Sequence, residues 1–397
     1  MRLAFICSSL APGRDGVGDY TRRLAAEFVR QGFPTVGVAL NDPHVTEPRL
    51  ESQEIEGASV TAMRLPVGIP WNDRMAVARK WLSDFNPDWM SLQLVPFGFH
   101  PKGLCFELGR RLASLKPKTG WHLMVHELWL GLGEDSSVKH RLWGTLQRRV
   151  VLDLVERLHP AVVHTQAEPH RIVLGRERIN VSILPLHGNI PHIGQSGWDD
   201  LLKPLLTLET GKTQNRHTLY LAGILGRVHP EWNAEETVRT LLPQVKRFQK
   251  RLVLIFHGNS GLASVEFDQL RLSLRGRADL LVLGERPASE ISRVLQSLDL
   301  GLATSPRRII QKSGSVAAMV EHGLQVLVTR DDWRLRGSDW IPDSAAAHLL
   351  TPAEFAALKE LPTRATKVVG ASGVKQVATS MIAALNSLTH AYTDCQS

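Results

Sequence analysis

Short apolar runs alternate with amphipathic stretches along most of the chain. In the first half, the apolar runs predict strands at residues 2–8, 35–39, 59–63, 89–93, 122–126, 161–164 and 181–184. The stretches between them carry apolar residues at helical spacing and predict helices near residues 19–31, 74–84, 103–115, 138–157 and 168–174. Strands that alternate with helices are typical of βα units and a parallel sheet.

The same alternation starts again in the second half. Strands are predicted at residues 218–221, 252–257, 280–283, 300–303 and 325–329, and helices at residues 234–249, 265–274, 288–298 and 314–321. Between the halves, residues 186–216 lose this pattern and are rich in Gly, Pro, Asn and Thr. We therefore predict an N-terminal Rossmann-like domain at 1–185, an interdomain linker at 186–216, a C-terminal Rossmann-like domain at 217–372, and a helix and tail at 373–397.

Composition agrees with two globular domains. The chain has 397 residues, of which 43% are hydrophobic and 22% charged, which excludes collagens, disordered tails and membrane channels. No apolar run approaches the ~20 residues that span a bilayer, and the N-terminus does not read as a secretory signal, so we expect a cytoplasmic protein. The three cysteines, Cys7, Cys105 and Cys395, fit neither a disulfide framework nor a cysteine zinc site.

A net charge of +8 favours anionic partners such as nucleotides, phospholipid surfaces or nucleic acid. The cations are spread along the chain without clustered aromatic residues, which argues against a nucleic-acid partner. The densest basic cluster surrounds the helix predicted at 103–115 and consists of Lys102, Arg110, Arg111, Lys116 and Lys118. A solvated helix face explains this cluster, and a docking surface for anionic lipid is the alternative.

The first candidate site is the glycine-rich segment 8–23, which follows the first strand. Open α/β sheets bind ligands at the carboxyl ends of their strands. Gly16 and Gly18 allow the backbone to approach a bound group, and a helix that begins near Asp19 presents free N–H groups. The third glycine of the dinucleotide fingerprint is missing, so an ordinary tight turn is the alternative.

The second candidate is His126, at the end of the strand predicted at 122–126. A neutral imidazole there can accept a proton or bind a substrate hydroxyl. The neighbouring Glu127 can hold the imidazole in one tautomer. A histidine with a purely structural role is the alternative.

The third candidate is an anion site in segment 305–319, where a basic loop leads into the helix predicted at 314–321. Small residues, open amides and cations converge there, a combination suited to a diphosphate. The site residues are Arg308, Lys312, Ser313, Gly314 and Ser315. Ser313 as an ordinary helix N-cap beside solvated arginines is the alternative.

A further cation, Arg227, follows the first strand of the second domain, in segment 221–232. Arg227 would therefore be presented on a loop at the carboxyl end of that strand. If Arg227 lies near the helix start at 313–315, the arginine and the helix start would clamp a phosphate group.

These segments, in this order, resemble the GT-B glycosyltransferases, and family 4 among them. The resembling segments are Gly16–Leu24 (glycine loop), Val125–Leu128 (His-Asp strand end), His187–Pro191 (entry to the linker), Ala222–Arg227 (phosphate-arginine loop), Leu283–Arg286 with Leu298–Leu300 (base pocket) and Ala318–Leu327 (donor-site helix and strand). The resemblance implies an α/β fold of two Rossmann-like, doubly wound parallel-sheet domains facing across a cleft. It also implies that Arg286 lies in the base pocket, that His126 contacts substrate, and that 373–397 packs back toward the N-terminal domain.

The chain departs from the family pattern at three positions. Alignment on Gly323 places Ile310 and Ala318 where retaining members carry two glutamates. Trp232 stands near the place of the lysine that accompanies the phosphate arginine. Lys312 or Arg308 can substitute by position, but retention of configuration does not carry over.

The resemblance implies a glycosyltransferase, of the hexosyltransferase class, that uses a nucleotide-diphosphate sugar as co-substrate and no cofactor. No acidic metal-binding signature occurs, so we expect a metal-independent reaction. The catalytic base is left open among Asp15, Asp19 and Glu127. The acceptor is a glycan, a lipid-linked sugar or a small molecule, and peripheral contact with the inner face of a membrane would suit a lipid-linked one. The alternative is a catalytically inactive GT-B-like subunit that binds a glycan or a partner protein.

Overall fold

A computed structural model describes residues 1–342, 348–364 and 373–394. These residues divide into two compact units. Unit 1 contains residues 1–187, 334–339 and 373–394, and unit 2 contains residues 188–333, 340–342 and 348–364. The tail predicted at 395–397 lies outside the described residues. Among the helices in the described part of the chain, none combines the length and the apolar character needed to cross a membrane.

The elements follow in chain order. The strands are β1 (Leu3–Cys7), β2 (Thr35–Asp42), β3 (Arg49–Ile55), β4 (Ala58–Pro66), β5 (Trp89–Leu94), β6 (Gly120–Val125), β7 (Val162–Thr165), β8 (Ser182–Ile183), β9 (Leu219–Leu225), β10 (Arg251–His257), β11 (Asp279–Gly284), β12 (Leu300–Ala303), β13 (Val326–Val328) and β14 (Leu349–Leu350). The helices are α1 (Gly16–Arg30), α2 (Trp71–Phe85), α3 (Pro96–Phe99), α4 (Leu108–Leu112), α5 (Val138–Leu158), α6 (Glu168–Arg176), α7 (Lys203–Thr210), α8 (Ala234–Arg247), α9 (Ser264–Leu274), α10 (Ala288–Leu295), α11 (Gly314–Glu321), α12 (Pro352–Ala356) and α13 (Val374–Asp394).

The described strands of unit 1 form an eight-stranded sheet in the order β3-β4-β2-β1-β5-β6-β7-β8. All neighbours pair in parallel except β3, which runs antiparallel to β4. A tight turn at Glu56 and Gly57, both with positive φ, joins these two strands into a hairpin. The sequence did not predict β3, because its mostly polar residues lie exposed at the edge of the sheet rather than in an apolar run.

One face of this sheet is covered by α1 and α13. Tyr20, Leu24 and Phe28 of α1 are buried together with Val377 and Met381 of α13. The helix at the end of the chain therefore belongs to the core of unit 1. Its N-terminal half alternates buried and exposed positions in the way that a helix lying on a core does.

Unit 2 contains a parallel sheet of the doubly wound type. Its described strands have the order β11-β10-β9-β12-β13-β14, so the direction of strand addition reverses between β9 and β12. Ligands of such sheets bind at the carboxyl ends of the strands beside this reversal. The segments that follow β9 and β12 contain Arg227 and residues 305–315, which places both predicted phosphate-binding segments at that edge.

The stretch predicted to be an interdomain linker is largely folded into unit 2. A π-helix at Trp198–Leu202 leads into α7, and the side chains of Leu202 and Leu206 are buried in the core of that unit. The two leucines lie one helical turn apart, but the surrounding Gly, Pro and Thr residues hide this short stripe in the sequence. Similarly, the helix predicted at 103–115 shortens to α4, since Gly103 has a positive φ of 66° that a regular helix excludes.

Candidate functional site

The glycine-rich loop of unit 1 is closed by a helix cap. α1 begins at Gly16, before the expected start near Asp19, and Asp15 Oδ1 accepts a hydrogen bond of 2.6 Å from the Gly18 N–H. A Cβ atom at Gly18 would lie 2.5 Å from the carbonyl oxygen of Ser9, so only glycine fits there. Gly18 therefore serves close packing between the loop and the helix start. Whether Gly16 and Gly18 also bind a ligand stays a prediction.

Asp19 braces the same loop. Its Oδ1 accepts hydrogen bonds from the Gly13 N–H at 2.9 Å and from Arg22 Nη1 at 3.1 Å. Burial raises the pKa of Asp19, and these hydrogen bonds partly offset that effect. Asp15 and Asp19, two of the three candidate bases, thus have carboxylate oxygens engaged in holding the loop.

The imidazole of His126 is buried and bonded on both sides. Its Nε2 donates to Gln93 Oε1 at 2.8 Å, and its Nδ1 accepts from the side-chain amide of Gln166. Tyr20 packs edge-on against the ring at 5.0 Å. Burial lowers the pKa of His126 to about 3, with a smaller contribution from His187. The imidazole is therefore neutral at physiological pH, and two glutamines orient it instead of the predicted Glu127.

Gln93 connects His126 to a buried polar chain that the sequence analysis missed. Its side-chain amide donates to Ser91 Oγ at 2.7 Å, which lies 2.7 Å from His122 Nδ1, and His122 Nε2 lies 3.0 Å from His164 Nδ1. Burial lowers the pKa of His122, and it lowers that of His164 to about 4. The only signal in the sequence was the presence of polar residues inside apolar strands.

In unit 2, the loop after β9 meets the start of α11. Gly226 has a φ of 76° and donates its N–H to the His257 carbonyl at 2.8 Å. A Cβ atom at Gly226 would lie 3.2 Å from Ser315 Oγ. The next residue, Arg227, lies against Gly261 and is exposed. The structure thus places Gly226, the residue before Arg227, beside Ser315. Whether Arg227 and the start of α11 clamp a phosphate group stays a prediction.

The start of α11 has a polar cap and a nearby lysine. Ser313 Oγ accepts a hydrogen bond of 3.3 Å from the Val316 N–H, so Ser313 is the N-cap, and Gly314 and Ser315 form the first turn. Lys312 precedes the cap and is half-buried. Within the part of the chain that the structure describes, neither Arg227 nor Lys312 has a carboxylate at ion-pair distance. Lys312 therefore adjoins the positive end of a helix without an ion-pair partner in the described residues, and Arg227 lies on the loop whose Gly226 is beside Ser315.

The other two predicted arginines already have partners. Arg308 is buried, with its Nε 3.3 Å from Asp331 Oδ1 and its Nη1 donating to the Trp340 carbonyl. Arg286 Nε donates to the Leu283 carbonyl at 3.0 Å, and its Nη1 lies 3.4 Å from a Glu290 oxygen. Arg308 is thus neutralised inside unit 2, whereas Arg286 is half-exposed at the end of β11.

Two further polar residues at this edge escaped the sequence analysis. The buried guanidinium of Arg330 pairs with Glu231 at 2.5 Å and with Asp332 at 2.6 Å, and bonds the ring of His229. His257, at the end of β10, is buried, and both ring nitrogens lack a hydrogen-bond partner among the described residues. Burial lowers its pKa to about 3. Arg330 follows an apolar strand and His257 ends one, and this position was the only feature of the sequence that could have indicated them.

At the two positions where the resembling family carries glutamates, this chain has buried apolar side chains. Ile310 and Ala318 are both buried. A Cβ atom at Gly188 would lie 2.7 Å from the Ala318 Cα, so the backbone of Gly188 covers that helix position. The Gly188 N–H donates to Glu321 Oε1 at 2.7 Å, which fixes the segment there. A longer side chain at position 318 would displace this segment.

No family model matches the sequence, and no curated protein matches it either. Solved structures do resemble it. The Anabaena protein HepE in complex with UDP and glucose has a TM-score of 0.61 at 14% identity and covers 98% of this chain and 100% of its own. Sucrose-phosphate synthase from Thermosynechococcus elongatus has a TM-score of 0.55 at 11% identity, with 98% and 91% covered. UDP-GlcNAc 2-epimerase from Methanocaldococcus jannaschii has a TM-score of 0.53 at 10% identity, with 97% and 99% covered.

These similarities span nearly the whole chain and establish the GT-B fold, which confirms the predicted fold class of two Rossmann-like α/β domains. At such low identity they establish the fold alone. Membership of family 4 stays a prediction. No group of three or more His, Cys, Asp or Glu side chains that could hold a metal ion occurs in the described residues.

Proposed function

We propose that this protein is a glycosyltransferase that transfers a hexosyl group from a nucleotide-diphosphate sugar. The observation that carries the proposal is the meeting of two cation-bearing segments at the carboxyl edge of a doubly wound sheet. Lys312 directly precedes the cap of α11, and Arg227 lies on the loop whose Gly226 is beside Ser315. A diphosphate suits this arrangement in charge and in hydrogen-bonding capacity. The structural similarity to HepE, which has been solved with UDP-glucose, supports the same ligand class.

The chemistry follows from charge development on the leaving diphosphate. The bond between the anomeric carbon of the sugar and the diphosphate oxygen breaks while the acceptor oxygen bonds to the same carbon. Negative charge grows on the departing phosphate oxygen, and Arg227, Lys312 and the first turn of α11 would stabilise it without a metal or a cofactor. A base must also take the proton of the acceptor hydroxyl. Asp15 and Asp19 are engaged in their loop, whereas the half-exposed Glu127 carboxylate has no hydrogen-bond partner among the described residues. We therefore assign the base to Glu127.

The acceptor belongs to the same proposal. It is a glycan, a lipid-linked sugar or a small molecule, bound by unit 1 in the cytoplasm. A lipid-linked acceptor would bring the protein into peripheral contact with the inner face of a membrane.

A second candidate is a catalytically inactive subunit of the same fold that binds a glycan or a partner protein. The observation that favours it is the burial of Ile310 and Ala318, where the resembling family carries its glutamates. The epimerase shows in addition that the fold does not by itself fix the reaction.

The test is nucleotide-sugar binding followed by turnover. A panel of nucleotide sugars is screened by thermal shift, because a ligand at 100 times its Kd stabilises by about 2.7 kcal/mol. Arg227→Ala and Lys312→Ala should each weaken the best ligand by about 1.5–3 kcal/mol, while the exposed Arg239→Ala on α8 should not. Unchanged affinity in both variants would refute the site. Binding without donor hydrolysis or transfer would favour the inactive subunit.

A further inference from the structure

A second basic site lies in unit 1, between α2 and the segment that contains α4. It is a cavity of about 260 Å³. The residues that line it are Asn72, Met75, Arg79, Arg110, Arg111 and Ser114. Half of them are arginines and none is a carboxylate.

The two helices build this cavity from opposite sides. Asn72, Met75 and Arg79 are three and four residues apart, which places them on one face of α2. Met75 is buried and forms an apolar floor. On the other side, Ser114 follows α4 and its Oγ accepts a hydrogen bond of 3.0 Å from Arg79 Nη2. Arg79 thus spans the cavity mouth with part of its guanidinium still available.

The ring of Trp71 packs against two guanidinium groups at the edge of the cavity. The Arg111 group lies 4.8 Å from the centre of the Trp71 ring, and the Arg74 group lies 3.9 Å from it. Arg74 is fixed there by hydrogen bonds from Nη1 to the Leu40 carbonyl and to Asn41 Oδ1. Two like charges on one indole repel each other. Accordingly, burial and then the charge of Arg111 lower the pKa of Arg74.

The positive charge around the cavity is poorly compensated. Arg110 and Arg111 share a single oxygen of Glu107, whose side chain is 54% exposed, so water screens that pairing. Arg79 has no carboxylate at ion-pair distance in the described residues. The Nε atoms of Arg74 and Arg111 are buried and lack hydrogen-bond partners within the described ranges. A solvated helix face does not account for buried, unpaired guanidinium nitrogens.

We propose that this arginine pocket binds the phosphate group of a phosphate ester. Arg79 and Arg110 would contact the phosphate oxygens as forked donors, with the Asn72 amide as a neutral donor and Arg111 as a further charge. The Ser114 hydroxyl donates to the Arg111 carbonyl at 2.6 Å and accepts from Arg79, so its role is to orient Arg79. The same chemistry fits a soluble phosphorylated sugar and a phospholipid headgroup. The pocket belongs to unit 1, and its ligand binding does not depend on the function proposed for unit 2.

The test uses the full chain and inorganic phosphate as the probe. Phosphate is titrated calorimetrically, at constant ionic strength, into the Arg227→Ala variant, which weakens the proposed diphosphate site of unit 2. We expect saturable binding that becomes about tenfold or more weaker when Arg79→Gln or Arg110→Gln is added, since each removes charge-assisted hydrogen bonds. Both side chains are exposed, so the variants should fold. Arg239→Gln is the matched control and should leave the phosphate affinity unchanged.

A second measurement identifies the source of the phosphate. Vesicles of phosphatidylcholine are compared with vesicles that also contain phosphatidic acid. Cosedimentation that requires phosphatidic acid and is lost in Arg110→Gln supports the pocket with a lipid headgroup as ligand. Pocket-dependent phosphate binding without cosedimentation supports it with a soluble ester.

Three results would overturn the proposal. The first is the absence of both phosphate and vesicle binding. The second is phosphate affinity or cosedimentation that survives Arg79→Gln and Arg110→Gln. The third is a loss of equal size in Arg239→Gln. Because none of these measurements involves a nucleotide sugar, their failure would leave the function proposed for unit 2 standing.

Discussion

At the residue scale, His126 is held as firmly as a core residue. Its two ring nitrogens are bonded to Gln93 and Gln166, and its pKa is far below neutrality because it is buried. We expect His126→Ala to lower the free energy of unfolding of unit 1 by about 1–3 kcal/mol, since it removes the buried hydrogen bonds to Gln93 Oε1 and from the Gln166 amide. Urea unfolding measures this change.

The control for His126 is His140→Ala on the exposed side of α5, which should change the free energy of unfolding by less than about 0.5 kcal/mol. The substrate-contacting role predicted from the sequence leads to a different expected result. It requires turnover per folded molecule to fall on the order of 10² in His126→Ala. A loss of turnover with an unchanged unfolding midpoint would show that His126 serves substrate binding rather than stability.

Glu127 is the residue whose replacement separates chemistry from binding. If it takes the acceptor proton, Glu127→Gln should lower kcat by about 10²–10⁴-fold while donor affinity stays the same, because the amide keeps the shape and loses the basicity. Steady-state kinetics with the best nucleotide sugar measure both quantities. Asp19→Asn is the comparison, since Asp19 is engaged with Gly13 and Arg22. Full turnover in Glu127→Gln would return the assignment to Asp15 or Asp19.

Single residues were predictable from sequence where the local chain determines their surroundings. Ser313 directly precedes a helix, and Arg227 directly follows a strand, so position in the chain placed both. Arg308 could not be assessed in this way. Its charge is neutralised by Asp331 and by the carbonyl of Trp340, which tertiary packing brings to it from a later part of the chain.

At the scale of elements, the apolar pattern located the buried strands and failed where burial is partial. The edge strand β3 has polar residues at most positions and depends on hydrogen bonds to β4, which no local pattern reveals. The opposite case is α7, a short helix whose Leu205 and Leu206 pack on the core of unit 2 although its neighbours in sequence resemble a linker. Composition therefore predicted a linker where the chain is folded into unit 2.

The contact between the Gly188 segment and α11 gives a prediction at this scale. In Gly188→Ala the new methyl group would meet backbone atoms of Ala318 at 2.7 and 2.9 Å, so the segment or the helix must shift. We expect a loss of about 1–3 kcal/mol in the free energy of unfolding of unit 2 and a weaker donor site, since α11 carries Ser313–Ser315. Calorimetry and nucleotide titration measure the two effects.

Gly194→Ala is the control for this substitution, because a Cβ atom there meets nothing within 4 Å. It should leave both the stability of unit 2 and its nucleotide affinity nearly unchanged. Wild-type stability in Gly188→Ala would mean that the segment at 188 adjusts freely. In that case position 318 would be open to larger side chains, and the departure from the family pattern would have no steric basis.

At the scale of the whole molecule, the buried histidines are distributed unequally between the two units. Unit 1 buries His122, His126 and His164, whose pKa values all lie below the usual 6.5, at about 3 for His126 and about 4 for His164. Unit 2 buries His257 and His322. Burial lowers the pKa of His257 to about 3, and it also lowers that of the half-buried His229. Where burial lowers the pKa, the folded protein holds the ring neutral, whereas the unfolded chain takes up a proton below pH 6.5.

Acid should therefore destabilise both units, and unit 1 more steeply. Above the usual pKa of 6.5 these rings are neutral in both states and contribute no pH dependence. As the pH falls from about 6.5 toward 4, the unfolded state binds more protons, so each ring removes roughly 1 kcal/mol of stability per pH unit. Carboxylates with lowered pKa, such as Asp42, add their own loss of stability only below about pH 5. Calorimetry at several pH values should show the unfolding temperature of unit 1 falling faster than that of unit 2, and His257→Phe should reduce the pH dependence of unit 2 alone. Equal slopes for the two transitions between pH 6.5 and 4.5 would contradict this account of the buried histidines.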